Sequence, residues 1–263
     1  MSAPETSLQL YGDYDDAALL ADEKSAMRGQ THSYFKLDKP GTAELRILPP
    51  KPSERSPFAQ VSEHWVTGAD GKRVKYYCPK EMANQPCPLC AYNYKLYKSG
   101  DTEKAKQWRA QRKYVAFIML RADIVEEAGG GDRAVFNVWE FGVTLFDSII
   151  ALIRDPDNQV IENGKKYTLI DPYRGYDIKL TRVGTGQQDT KWSVATKKHP
   201  SPLFSSGERT TEILRALPEK QGMFTIPSPH ELEMHVPGYA GTSVAAKKYE
   251  PGEDEVDAES IPF

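Results

Sequence analysis

Apolar positions fall into two patterns along the chain, a helical period and short β-former-rich runs, and the two mark different elements. In VTLFDSIIALIRD (143–155) Leu145, Ile149, Leu152 and Ile153 fall on one helical face, and Asp155-Pro156 ends the run. Most other apolar runs are short, rich in Val, Ile, Tyr and Phe, and bounded by turn residues, which predicts strands. SYFKLDKPGTAELRILPP (33–50) reads as a strand, a turn at Pro40-Gly41 and a second strand closed by Pro49-Pro50. SEHWV and RVKYY are further strands. RKYVAFIML and AVFNVWEF read as a hairpin around the EEAGGGDR tip. YDIKLTRVG and WSVATKK read as another around Gly184-Thr185-Gly186. LCAYNYKLYKSG and TEKAKQWRAQ suggest two helical pieces broken at Ser99-Gly100, ERTTEILRAL a short helix, and residues 16–28 an amphipathic helix with acids early and bases late. Six or more short strands around one central helix predict a mainly β protein with α insertions, closer to a small Greek-key barrel than to a doubly wound sheet.

Composition fits a polar folded domain. Of 263 residues 39% are hydrophobic and 27% charged, and no run of eighteen apolar residues is present. The first residues, MSAPETSLQLYGDYDD, lack the basic start and apolar stretch of a signal peptide, so the expected setting is intracellular. The net charge of −3 conceals a division. Residues 1–23 and 249–263 carry six acids each and no Lys or Arg, which leaves 34 bases against 25 acids between them, a net of +9. A basic body between acidic ends points to a polyanionic partner.

All three cysteines lie within CPKEMANQPCPLC: Cys78, Cys87 and Cys90. A reducing compartment and an odd count argue for metal rather than disulfides. The C-P-L-C knuckle lets two thiolates grip one ion. Cys78 is close enough to join, and the nearest histidine upstream, His64, completes a Cys3His set of the kind that favours Zn. Four protein ligands leave no open position, so one structural Zn is expected.

Bases alternate with aromatics through the same stretches, the combination that holds phosphates and stacks on unpaired bases. Lys72, Arg73 and Lys75 precede Tyr76 and Tyr77. Tyr92, Tyr94, Lys95, Tyr97 and Lys98 follow the knuckle, and Trp108, Arg109, Arg112, Lys113 and Tyr114 lead into the next strand. Later come Tyr173, Arg174, Tyr176, Lys179 and Arg182, then Trp192, Lys197 and Lys198. Trp139 shares a strand face with Val135, Asn137 and Phe141, and alternation alone allows it to be core or platform.

Motifs for catalysis are missing: there is no Walker-type loop, dinucleotide fingerprint or G-x-S-x-G. In His230-Glu231-Leu232-Glu233-Met234-His235 the histidines are five apart rather than four, so a helix would set them on different faces, and Pro229 and Pro237 limit any helix there. The expectation is a binding protein, not an enzyme.

Two resemblances sharpen this. The end, EPGEDEVDAESIPF, resembles the tip of bacterial single-stranded-DNA-binding proteins, in which acids precede a terminal Ile-Pro-Phe. That resemblance implies docking of replication and repair enzymes by Asp254, Glu255, Asp257, Glu259, Ile261, Pro262 and Phe263. YFKLDKPGTAELRILPP, the His64/Cys78/Cys87/Cys90 set and RKYVAFIML…VFNVWEFGVTLFDSIIALI resemble the helix-destabilising single-stranded-DNA-binding proteins of tailed phages, over roughly residues 30–155 and more weakly to 200. This resemblance implies a five-stranded OB-fold with a zinc subdomain at about 60–110. It also implies metal ligation by one His and three Cys in this order, a strand-holding cleft between barrel and zinc subdomain, and an acidic tail that recruits partners. The expected organisation is an acidic arm and helix (1–30), an OB core (31–238) and a disordered acidic tail (239–263). The family's basic N-terminal arm, which gives cooperativity, is replaced here by an acidic one. The expected function is sequence-independent coating of single strands in replication, recombination and repair, inside an infected bacterium if the chain is viral. The alternative is a zinc-ribbon adaptor or transcription accessory factor that binds protein or duplex DNA. A nuclease would need an open metal site and clustered carboxylates, which the sequence does not offer.

Overall fold

The computed structural model describes residues 33–68, 71–123, 136–186 and 189–238. The 16–28 helix, the EEAGGGDR tip and the tail from 239 onward lie outside the described residues. In chain order the elements are β1 (Ser33–Phe35), β2 (Gly41–Ile47), β3 (Phe58–Thr67), β4 (Arg73–Tyr77), α1 (Pro79–Ala83), α2 (Pro88–Lys98), α3 (Thr102–Trp108), β5 (Gln111–Leu120), β6 (Asn137–Gly142), α4 (Val143–Arg154), β7 (Val160–Glu162), β8 (Lys165–Tyr167), β9 (Ile178–Val183), β10 (Lys191–Thr196), α5 (Gly207–Ala216) and α6 (Pro229–Glu233). The described chain falls into two compact units, one of residues 33–61 and 112–225, the other of 62–111 and 226–238.

The first unit is a mixed, mainly antiparallel sheet with helices. Strands β6, β5, β2, β9 and β10 pair neighbour to neighbour in antiparallel fashion, and β1 joins β6 in parallel. The expected strand–turn–strand over 33–50 is therefore not a hairpin. β1 pairs Ser33–Phe35 with Asn137–Trp139, while β2 lies between β5 and β9. Pro40 explains part of this, because its ring removes the backbone donor that a two-strand ladder would use beside the turn. The β5–β6 and β9–β10 pairs form as the sequence predicts. The β7–β8 hairpin was not anticipated, although Asn163-Gly164, both at positive φ (50° and 72°), is the turn pair that a right-twisted hairpin favours.

The core of this unit gathers Leu45, Ile47, Ala116, Ile118, Trp139, Phe141, Ile178 and Leu180 from the strands and Leu145 and Ile149 from α4. Leu152 and Ile153 pack against it, so the predicted face of α4 is the buried one. On the other face of β2, between Leu45 and Ile47 in the chain, lies a polar network that no motif announced. Arg46 is fully buried. Its Nε donates to Asp177 Oδ1 at 2.9 Å, Nη1 to the Asp171 carbonyl at 3.0 Å, and Nη2 to the Ser201 carbonyl at 2.6 Å and Oγ at 3.1 Å. Arg121 Nε meets the other Asp177 oxygen at 2.8 Å. One carboxylate thus serves two guanidiniums and ties the ends of β2 and β5 to the 197–204 segment. Every charged group here has a partner, the condition under which a buried charge is tolerated.

The second unit is built on the β3–β4 hairpin and three helices of its own chain segment. Register pairs Glu63 with Tyr77, His64 with Tyr76, Trp65 with Lys75, Val66 with Val74 and Thr67 with Arg73. Because side chains alternate across a strand, His64, Val66, Val74 and Tyr76 share one face and Glu63, Trp65, Arg73, Lys75 and Tyr77 the other. The first face covers a small core of Val66, Cys78, Cys87, Leu89 and Leu232, against which Tyr76, Cys90, Trp108 and Val236 pack. The helix at 229–233 does form, but spans only five residues. Pro229 is tolerated because it occupies the first turn, and Ser228 and Glu231 make a capping box.

Candidate metal centre and nucleic-acid interface

His64, Cys78, Cys87 and Cys90 converge. Their ligand atoms all lie within 4.8 Å of one another, and the first three residues are buried. His64 Nε2 is 3.5 Å from Cys87 Sγ and 3.4 Å from Cys90 Sγ, and Cys78 Sγ is 3.5 Å from Cys90 Sγ. Metal bonds of about 2.0–2.3 Å place tetrahedral N and S donors roughly 3.5–3.8 Å apart, so these three separations suit a shared ion and the four residues could hold one.

Local structure explains the convergence. Cys78 follows β4 and caps α1, Cys87 caps α2, and each is followed by a proline at the first helical position. Cys90 sits in the first turn of α2. His64 points inward because it shares the inner face of β3 with Val66. Its Nδ1 lies 2.9 Å from the Trp108 carbonyl, so with Nδ1–H donating there, Nε2 keeps its lone pair toward the sulphurs. Hydrogen bonds from Cys78 and Cys90, joined by the Leu89 and Cys90 backbone N–H groups, pull the Cys87 thiol down to about 3, whereas the Cys90 thiol is pushed up because Cys78 and Cys87 favour its protonated form. Three sulphurs this close ionise together only when a cation shares the space.

The predicted nucleic-acid residues separate into exposed, bracing and core positions. In the second unit Tyr94 and Tyr97 are exposed on α2 (47% and 44%), with Lys98 Nζ 5.3 Å from the Tyr94 ring. Lys75 Nζ lies 5.1 Å from the Tyr77 ring on the outer face of the hairpin. Arg109 is exposed. Tyr76 is on the inner face, its ring 4.8 Å from His235. Tyr92 and Trp108 pack edge to face at 4.9 Å, so they brace each other. In the first unit Trp192 is exposed (41%) and the Arg182 guanidinium lies 5.6 Å from its ring. That pair extends the core face of β9–β10 past the last core pair, Leu180 and Val194. Arg182 Nη1 donates to the Leu37 carbonyl at 2.7 Å, which fixes the guanidinium. Lys179 is exposed on the opposite sheet face, Lys198 and Arg112 are exposed, and Lys113 is half-buried. Lys197 is paired with Glu44 at 2.7 Å.

Four aromatics are placed as packing. Trp139 is core, 4% exposed, with Phe35 and Phe141 on its ring, in a stretch of β6 where Asn137, Val138 and Trp139 are all buried. Tyr114 stacks on Phe146 with ring centres 3.6 Å apart. Tyr176 packs against the core. Tyr173 is half-buried with its hydroxyl 3.2 Å from Thr211 Oγ1. Arg174 is tied to Glu162 and lies 4.6 Å from the Tyr167 ring. The sequence reading passed over Trp65, which carries the Arg73 guanidinium 5.3 Å from its ring. The signal was its place next to His64: if His64 faces the cysteines, its strand neighbour faces the other way.

A family model described as "gp32 DNA binding protein like" matches residues 39–225. The chain belongs to this family. It is the phage type of single-stranded-DNA-binding protein. The match contains all four residues of the candidate metal centre and each cation–ring pair described above. No curated protein matches the chain. No helix among the described residues is long and apolar enough to cross a membrane.

Proposed function

We propose that this gp32-like protein binds single-stranded DNA without regard to sequence and coats it during replication, recombination and repair, as a binding protein rather than a catalyst. The observation that carries this reading is the repeated placing of a cation against a partly open ring: Arg73 on Trp65, Lys75 on Tyr77, Lys98 on Tyr94 and Arg182 on Trp192. Such pairs offer every base a π-face and every phosphate a charge, and neither contact distinguishes sequence. The first unit, with its mainly antiparallel sheet, is proposed to be an elaborated OB barrel.

The metal in this reading is zinc. One imidazole and three thiolates are the donors it favours, and with all four positions filled by protein it stabilises the fold without activating water. His64, Cys78, Cys87 and Cys90 would hold it. The acidic segment that includes Ile261-Pro262-Phe263 is proposed to recruit replication and repair proteins, its Phe side chain and the neighbouring acids suiting a basic-rimmed apolar pocket. The setting is the cytoplasm of an infected bacterium.

Titration of intrinsic fluorescence with oligo-dT and with duplex DNA tests the central claim. Quenching by the single strand, weakening steeply with salt and much weaker for duplex, is expected. Equal response to both, or none to either, would instead favour a zinc-ribbon adaptor.

A further inference from the structure

Glu63 has no counterpart among the residues that either charge pattern or motif singles out, yet it is almost wholly buried (1% exposed) beneath the outer face of the β3–β4 hairpin. Its Oε1 accepts the Trp65 indole N–H at 2.8 Å, and its Oε2 lies 3.4 Å from Lys75 Nζ. Trp65 and Lys75 are directly opposite in the register, and Tyr77, on whose ring Lys75 also rests, is opposite Glu63 itself. Arg73 completes the face above Trp65. One carboxylate therefore fixes the edge of the indole and the position of the ammonium, and through the ammonium the cation on the neighbouring tyrosine. His64, one residue on, faces the opposite way toward the cysteines, so this face is separate from the metal centre.

An acid beneath a surface that is to meet phosphates works against simple attraction. Its burial removes it from contact with a ligand, whereas its hydrogen bond and ion pair restrict two side chains that would otherwise lose rotamer freedom on binding. We propose that Trp65 is a base-stacking platform of the single-strand site, with Arg73, Lys75 and Tyr77 beside it, and that Glu63 is a positioning residue that pre-organises it. This rests on the proposed function and names the subsite through which that function acts on the β3–β4 hairpin. It also replaces Tyr76 by Trp65 as the ring through which this hairpin meets DNA.

The experiment uses the full chain loaded with metal and oligo-dT as probe. Trp65→Ala should weaken binding about 5- to 150-fold, the range for loss of one stacked base. Trp65→Phe should remove one component of the tryptophan quenching while metal content stays at one equivalent. Glu63→Gln, which keeps an acceptor for the indole but loses the charge that holds Lys75, should weaken binding about 2- to 12-fold, the range for one net hydrogen bond. A positioning role has its own signature: Glu63→Gln should cost much less in a Trp65→Ala background than alone, because the ring it orients is gone. Full additivity of the two changes overturns the positioning role of Glu63. Wild-type-like affinity and undiminished quenching in Trp65→Phe and Trp65→Ala overturn the platform. If wild-type protein itself ignores oligo-dT, the failure lies with the proposed function. Loss of the metal in any variant would assign the effect to folding and count against the separation of the two faces.

Discussion

Asp177 offers the sharpest test of how the first unit is held together. Its two carboxylate oxygens serve Arg46 at 2.9 Å and Arg121 at 2.8 Å, and Ser201 Oγ donates to it at 3.1 Å. Burial lowers the Arg46 pKa below its ordinary value and Asp177 is the main influence opposing that shift, so the carboxylate is what makes a charged side chain tenable there. Asp177→Asn is nearly isosteric, but it removes the charge and turns one of the two accepting oxygens into an N–H donor that faces a guanidinium. It leaves two guanidiniums, one of them fully buried, without the carboxylate that pairs them both, and only the weaker influence of Asp171 remains on Arg46. Breaking a buried pair from one side costs about 3–5 kcal/mol. For a protein of this size that corresponds to a melting temperature lower by roughly 6–20 °C, at about 2–4 °C per kcal/mol. Urea unfolding followed by circular dichroism measures the loss directly. A triple variant, Arg46→Met, Asp177→Leu and Arg121→Met, should recover only part of it, because it removes the unpaired charges but leaves the Asp171, Ser201, Pro202 and Leu203 carbonyls without their guanidinium donors. A loss under about 1 kcal/mol for Asp177→Asn would refute the reasoning, since that is the scale of an exposed pair and would mean the network is solvated.

Other expectations address the sites. Cys90→Ser should reduce bound metal below one equivalent by elemental analysis and melt the second unit before the first, because its small core is built around the cluster. Tyr94→Ala and Tyr97→Ala should each cost about 1–3 kcal/mol of oligo-dT affinity with stability nearly unchanged. Trp139→Ala should instead cost about 3–5 kcal/mol of folding stability, as a large buried ring does. Asp189 is held below the usual carboxylate range by the Thr185 and Gly186 backbone N–H groups. Its contribution is present above the unfolded value of about 3.9 and is lost as pH falls through the lower folded value. The urea midpoints of wild type and Asp189→Ala should therefore differ at pH 7 and converge at strongly acidic pH. Removing residues 250–263 should raise oligo-dT affinity, most at low salt, if the acids compete with DNA; unchanged affinity would rule out competition.

The sequence by itself determined what local chemistry can determine. Short runs of β-branched and aromatic residues bounded by turns placed the strands of the β3–β4, β5–β6 and β9–β10 pairs, a period of 3.6 placed α4, and the spacing of three cysteines after one histidine named the residues that converge. Each signal is carried by neighbours within a few residues, so it survives without knowledge of the rest of the chain. Only the tertiary structure decided which face of each strand met what. Trp139 and Trp65 look alike in sequence, each a tryptophan in a short strand, but one faces the sheet core and the other lies opposite the metal side of a hairpin. The parallel docking of β1 on β6 and the Arg46–Asp177–Arg121 network join residues far apart in the chain, and Glu63 is explained only by the strand opposite it. Such pairings carry no local signature, because partner and burial are fixed by packing after the elements exist.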